Sequence, residues 1–250
     1  MQAIVAALAE QQAELSGLLS GLDDTDWLRP SRCEGWTVSD VVLHLAQTNE
    51  LATASASRRM AEALAELGGT PGGRGGTVDD GADVLVARER GRPGPAVRER
   101  WVASGEALCR RLEDADPHQR LEWVAGQLSA RSLAATRIAE TWIHAGDVGE
   151  PFAWVPAATD RLWHVARLAW RTLPYAFARA GRELSGPVAF DLRGPNGDRW
   201  SLTPDAEPST TVRGDAVELC FVAAQRVRPE DTSLRVEGSD PVLELVRTYA

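Results

Sequence analysis

Glu140 and His144 stand one helical turn apart, and His44 lies far upstream in a second segment of helical spacing. Residues three, four and seven apart share a helix face, so Leu133, Thr136, Arg137, Glu140, Ile143, His144 and Asp147 form one stripe. Most of that stripe is polar. A bundle buries it only with its polar groups satisfied, and a cation held by carboxylate and imidazole does this while offsetting the cost of burying charge. His44 falls on the inward edge of its own helix, beside Val38, Val41, Val42 and Leu45. Two neutral nitrogens and one anionic oxygen make His44, Glu140 and His144 a candidate site for a divalent metal, zinc by its donor set, with coordination positions left open. Two plainer readings compete: an exposed Glu and His pair on a helix surface, and a core histidine bonded to a carbonyl.

The surrounding residues are read against the same alternatives. Arg137 and Asp147 either support the donors, by pairing with Glu140 or orienting His144, or are solvated surface charges. Cys33 either reaches the site as a thiolate or is an inert buried thiol. His164, in Trp163-His164-Val165, is a proton shuttle or substrate contact on the sharper reading and structural on the plainer one. His118 follows Asp116-Pro117 in a turn and is expected to be exposed. Trp36 and Trp142 belong to the core or wall the pocket.

These side chains need helices to hold them. Apolar positions at helical spacing predict a first helix over Gln2 to Leu22, with Leu8, Leu15, Leu18, Leu19 and Leu22 on one side. Thr37-Val-Ser-Asp40 fits a capping box that opens a second helix, expected to run to Leu67 and stop at Gly68-Gly69. Gly68 to Pro95 reads as a Gly/Pro-rich loop with one short helix near Val84 to Arg90. Third and fourth helices follow over Ala96 to Asp114 and Ser129 to Val148. No strand is expected in this half.

The pattern then changes. A helix over Ala158 to Ala180, kinked at Pro174 and ended by Gly181, leads into period-two segments. Pro187 to Arg193, the turn Gly194-Pro-Asn-Gly197 and Arg199 to Leu202 predict a hairpin. Thr210 to Val212 and Ser233 to Val236 read as further strands, Asp215-Ala-Val-Glu218 as a second capping box opening a helix to Arg226, and Asp240-Pro241 as the start of a last helix. The expected class is α+β: a four-helix bundle over residues 1–155, then a linking helix and a smaller α/β domain over 156–250.

Composition removes several chemistries. All 27 basic residues are arginine. Schiff-base catalysis, pyridoxal phosphate anchoring and the phosphate-loop lysine all need an amine that arginine cannot supply. A net charge of −9 and a pI near 5.0 disfavour nucleic acid. No apolar run is long enough to span a membrane, and Met1 to Leu22 lacks the plan of a signal peptide. Three scattered cysteines argue against a disulfide framework. A cytoplasmic protein, monomer or homodimer, is expected.

Cys33-Glu-Gly-Trp-Thr-Val-Ser-Asp-Val-Val-Leu-His44-Leu and Ala139-Glu140-Thr-Trp-Ile-His144-Ala-Gly-Asp147 resemble the mycothiol-dependent maleylpyruvate isomerase family, within the DinB-like metalloenzyme superfamily. Arg193 to Trp200 and Val212 to Leu219 resemble the sterol-carrier-like domain that follows the bundle in many members. The resemblance implies a DinB-like bundle with zinc on the residues matching His44, Glu140 and His144. It also implies mycothiol, a low-molecular-weight thiol of actinobacteria, as co-substrate. Gln47 and Thr48, on the ligand face after His44, are then candidates to contact the thiol or substrate, with Arg137 beside them.

The expected function is therefore a zinc-dependent, mycothiol-using enzyme acting on a small electrophile. Addition of a thiolate followed by bond rotation and expulsion gives cis/trans isomerisation; retention gives S-transfer. Two alternatives stand beside it: a thiol-independent hydrolase, lyase or rearrangement catalyst on the same metal, and a non-catalytic ligand-binding protein that the metal only staples.

Overall fold

In the computed structural model, which describes residues 1–66, 78–124 and 126–248 (the backbone alone for 78–80), the chain is α+β and divides into two compact units, Met1–Pro156 and Ala157–Ala250. Four long helices build the first unit: α1 (Gln2–Leu19), α2 (Val38–Ala56), α5 (Gly94–Glu113) and α6 (Ala130–Gly149). Between them stand α3 (Met60–Glu66) and α4 (Val78–Glu89), and strands β1 (Arg120–Trp123) and β2 (Gly126–Ser129). Helices α1 and α2 each pack against both α5 and α6. The core they share includes Leu15, Leu19, Val41, Val42, Leu45, Trp101 and Ala145. In α1, Leu8, Leu15 and Leu19 are fully buried, while Leu18 and Leu22 pack at the core's margin.

The capping box predicted at Thr37 forms in full. The Thr37 hydroxyl accepts from the Asp40 amide at 3.2 Å, and the Asp40 carboxylate accepts the Thr37 amide at 2.9 Å. Asp40 also takes the Arg90 guanidinium at 3.2 Å, which ties the loop after α4 to this helix start. Because α2 carries His44, Thr37→Ala is expected to lower stability by about 1 kcal/mol. Urea denaturation followed by circular dichroism measures this; an unchanged midpoint would show that Asp40 alone suffices as the cap.

Three expectations for this half need correction. The second helix does not run through to Leu67, since it ends at Ala56. There Arg58 enters the left-handed region (φ 59°) and the Arg59 amide caps the Ala54 carbonyl at 2.8 Å, the role a glycine usually fills. The predicted stop at Gly68-Gly69, and the Gly68 to Gly76 loop, lie outside the described residues. The short helix placed near Val84 starts earlier, at Val78. The region expected to lack strands holds the antiparallel β1–β2 pair, with Leu121 opposite Leu128. With a single buried residue, Leu121, in two strands of four residues each, the pair offers almost no periodicity to read.

The second unit opens with α7 (Leu162–Arg179), which contains Pro174 and stops before Gly181 in the left-handed region (φ 67°). A four-stranded sheet follows in the order β4-β3-β5-β6: β3 (Val188–Arg193), β4 (Arg199–Leu202), β5 (Thr210–Asp215) and β6 (Arg235–Glu237). The predicted hairpin is present, with Phe190 opposite Leu202, and β5 joins β3 in parallel. Phe190 and Val212 lie side by side in the core; on the exposed side Asp191 bonds Arg199 and Arg213. Asp215 caps α8 (Ala216–Ala223) by accepting the Val217 amide at 2.9 Å. Glu218 does not return the bond, because its carboxylate accepts the Ser233 amide and hydroxyl. The last helix, α9 (Val242–Leu245), is a single turn.

Candidate metal centre

Two helices of the first unit supply three donors to one place. His44 comes from α2, started by the Thr37 box. Glu140 and His144 come from α6, started by the Ser129 hydroxyl accepting the Ser132 amide at 3.1 Å. The Oε2 atom of Glu140 lies 3.6 Å from His44 Nε2 and 3.6 Å from His144 Nε2, and the three donor atoms all fall within 4.8 Å of one another. Those two distances are too long for charge-assisted hydrogen bonds, which run at about 2.7–2.9 Å. Donors about 2.0–2.1 Å from one tetrahedral ion are separated by about 3.4 Å, so the spacing suits ligands of a common cation. The donor set of two imidazoles and one carboxylate fits a divalent metal, and the partial exposure of the three side chains, 12 to 24%, leaves the group reachable from solvent.

The far nitrogen of His144 decides how its near one is used. Asp147, buried one turn further along α6, lies 2.9 Å from His144 Nδ1. A buried carboxylate there accepts the Nδ1 proton, so in the neutral ring the lone pair is on Nε2, directed at the space shared with Glu140 and His44. The Cys33 thiol donates to the same Asp147 oxygen at 3.3 Å and sits 3.8 Å from His144 Nδ1. Cys33 is half-buried, and with His144 and Asp147 it makes a second potential donor group. The Trp36 ring lies 5.3 Å from that of His44, and its indole donates to Asp83 of α4 at 2.8 Å.

The electrostatics follow from burial and charge. Burial holds the His44 imidazole below its ordinary pKa. For Glu140 burial opposes ionisation, but the two facing imidazoles and the Arg137 charge outweigh it and keep the carboxylate well below the usual range. His144 is likewise desolvated, yet Asp147, Cys33 and Glu140 raise it well above the usual imidazole value.

The other sequence candidates are placed as follows. Gln47 is buried, and its amide donates to the Leu85 carbonyl and to Glu89, both at 3.0 Å, so it fastens α4 to α2. Thr48 bonds back to the His44 and Leu45 carbonyls of its own helix at 3.0 and 3.2 Å. Arg137 is not a solvated surface charge: it is 4% exposed, with its guanidinium carbon 5.1 Å from the centre of the Trp123 ring. Trp123 escaped the sequence reading because it stands on the unforeseen β1–β2 pair. His118 is exposed as expected, and His164 stands on α7 of the second unit, outside the donor cluster.

Comparison with known proteins agrees with these motifs. Residues 8–149 match the mycothiol maleylpyruvate isomerase N-terminal domain. Two uncharacterised proteins of Mycobacterium tuberculosis, from strains CDC 1551 / Oshkosh and ATCC 25618 / H37Rv, are each 30% identical over 239 residues, which is 94% of this chain and 90% of theirs. Crystal structures of a mycothiol-dependent maleylpyruvate isomerase and of its histidine-to-alanine mutant share the fold, each with a TM-score of 0.63 over 96% of this chain and 94% of theirs, at 19% and 18% identity. With the matched domain covering both donor-bearing helices, the chain belongs to the mycothiol maleylpyruvate isomerase N-terminal domain family.

Proposed function

We propose that this protein is a metal-dependent enzyme that uses mycothiol to isomerise, or to conjugate with sulfur, a small electrophilic substrate. The observation that carries the reading is the convergence of His44, Glu140 and His144 at cation-sharing distances, with Asp147 on the far nitrogen of His144. The relatives with solved structures are mycothiol-dependent maleylpyruvate isomerases, and the family domain spans every residue of the centre.

His44, Glu140 and His144 would hold the cation, with zinc the metal their donor types favour. A bound divalent cation supplies Lewis acidity that lowers a thiol's pKa and so provides thiolate at neutral pH. Asp147 fixes the His144 tautomer, and the Cys33 thiol donates to the same Asp147 oxygen. Trp36, latched to Asp83, walls the His44 side and limits water there. Gln47 contributes by anchoring α4, while Thr48 and Arg137 lie beside the donors for contact with thiol or substrate. The co-substrate thiolate adds to one carbon of a cis double bond, rotation follows about the resulting single bond, and expulsion of the same thiolate yields the trans isomer. Retention of the sulfur, with a proton taken up at the neighbouring carbon, yields the conjugate.

The test is turnover of maleylpyruvate and related unsaturated acids by the metal-loaded protein, with and without mycothiol. Turnover is expected only with the thiol present. Equal rates in its absence would replace this reading with thiol-independent chemistry at the same centre.

A further inference from the structure

Cys33 occupies a place where a serine would make the better hydrogen bond. Its thiol donates to the buried Asp147 carboxylate at 3.3 Å, but a thiol is a weak donor, and a hydroxyl there would bond more closely and more strongly. What sulfur adds is a soft ligand. The loop that carries it is tied to α6 through the backbone, because the Arg32 amide donates to the Asp147 carbonyl at 3.1 Å. The Cys33 amide donates to the Ser31 hydroxyl at 3.2 Å, and the Cys33 carbonyl accepts the Trp36 amide at 3.0 Å. The path of the chain thus sets the thiol beside Asp147.

Among the described residues, two groups of three potential ligand atoms fall within 4.8 Å of one another, and the second is Cys33, His144 and Asp147. Sγ lies 3.3 Å from Asp147 Oδ2 and 3.8 Å from His144 Nδ1, and the carboxylate oxygen lies 2.9 Å from that nitrogen. Around one tetrahedral ion, a sulfur at about 2.3 Å and a nitrogen or oxygen at about 2.0–2.1 Å stand about 3.6 Å apart. The two sulfur separations bracket that value, and the His144–Asp147 pair needs to open by about 0.5 Å from its hydrogen-bonded distance. A thiolate and a carboxylate together neutralise a divalent charge, which offsets the cost of burying the ion.

We infer that Cys33 Sγ, Asp147 Oδ2 and His144 Nδ1 form a second cation site for a soft or borderline divalent ion such as zinc or cadmium, with His144 shared between it and the group of His44, Glu140 and His144. Binding releases two protons to solvent, one from Sγ and one from Nδ1, and replaces the His144–Asp147 hydrogen bond by a bond from each partner to the ion. Those displaced interactions make it the weaker site, so it fills after the first. Hard ions such as magnesium, which avoid thiolate, should leave it empty. The site stands on its own three donors, whichever reaction the protein catalyses.

The test is cadmium titration of the full chain, with calorimetry for stoichiometry and the ultraviolet thiolate-to-cadmium charge-transfer band for sulfur ligation. Wild type should bind two equivalents, the band rising only during the second. Cys33→Ser retains a donor toward Asp147 and leaves Cys109 and Cys220 in place. It should lose the band and weaken the second equivalent by about 10-fold or more. Alkylation with peptide mapping of wild type reads the same site without any variant, so a poorly folding Cys33→Ser does not remove the test: Cys33 should stay reactive after the first equivalent and be protected by the second. A single equivalent at saturation would overturn the proposal. So would a band that rises with the first equivalent, which would make the sulfur a ligand of the primary group, and so would a band unchanged in Cys33→Ser, which would place the sulfur at another cysteine.

Discussion

His44→Ala is expected to lose stoichiometric metal and, with it, turnover. His44 is the one donor contributed by α2, and its loss leaves only Glu140 and His144, a pair on adjacent turns of α6. Two donors on one helix cannot enclose an ion, so affinity should fall by well over the about 10- to 100-fold that loss of a supporting residue costs. The fold should survive. His44 is 12% exposed at its side chain, and the α2 core positions Val41, Val42 and Leu45 are untouched. Competition against a chromophoric chelator, with circular dichroism as the control, measures the effect. Metal retained at one equivalent by a folded His44→Ala would remove the basis for the site.

The second large effect is expected at a residue that touches no substrate. Asp147→Asn keeps the size of the side chain but removes the charge that makes the Asp147 oxygen, 2.9 Å from His144 Nδ1, a strong acceptor. His144 then loses both the preference for the tautomer with Nε2 free and part of its basicity. Metal affinity should drop by about 10- to 100-fold. Cys33→Ser, which retains a donor toward Asp147, should lower it far less. The pair of variants separates positioning from bulk damage: a structural role alone would make Asp147→Asn lower thermal stability without moving the metal dissociation constant. Isothermal titration with zinc reads the dissociation constant of each variant, and thermal unfolding reads its stability.

The helices that bear the donors are legible in the sequence because their signals are local. Thr37 and Asp40 announce a helix start, and Glu140, His144 and Asp147 recur at a spacing only a helix turns into a face. The turn Gly194-Pro-Asn-Gly197 likewise marks the β3–β4 hairpin. What stays hidden depends on contacts between distant segments. The β1–β2 pair is too short to show a period, so the Trp123 ring beside Arg137 could not be foreseen. Gln47 looks available for a ligand by its position after His44, but one of its acceptors is the backbone carbonyl of Leu85, which leaves no mark in side-chain chemistry. Arg58 ends α2 in a conformation usually taken by glycine, against its own preference, because the three amides at the end find carbonyls there. Cys33 could be suspected near the centre, yet its bond to Asp147 depends on the path of the loop before α2.

X-ray absorption at the zinc edge, on the metal-loaded protein before and after addition of mycothiol, tests the three-donor centre most directly. Before addition, the shell should consist of nitrogen and oxygen neighbours at about 2.0–2.2 Å, including two imidazoles, with no sulfur. After addition, one sulfur at about 2.3 Å should appear. A sulfur neighbour already present without thiol would point to Cys33 as a ligand, and a shell unaltered by saturating thiol would contradict the account.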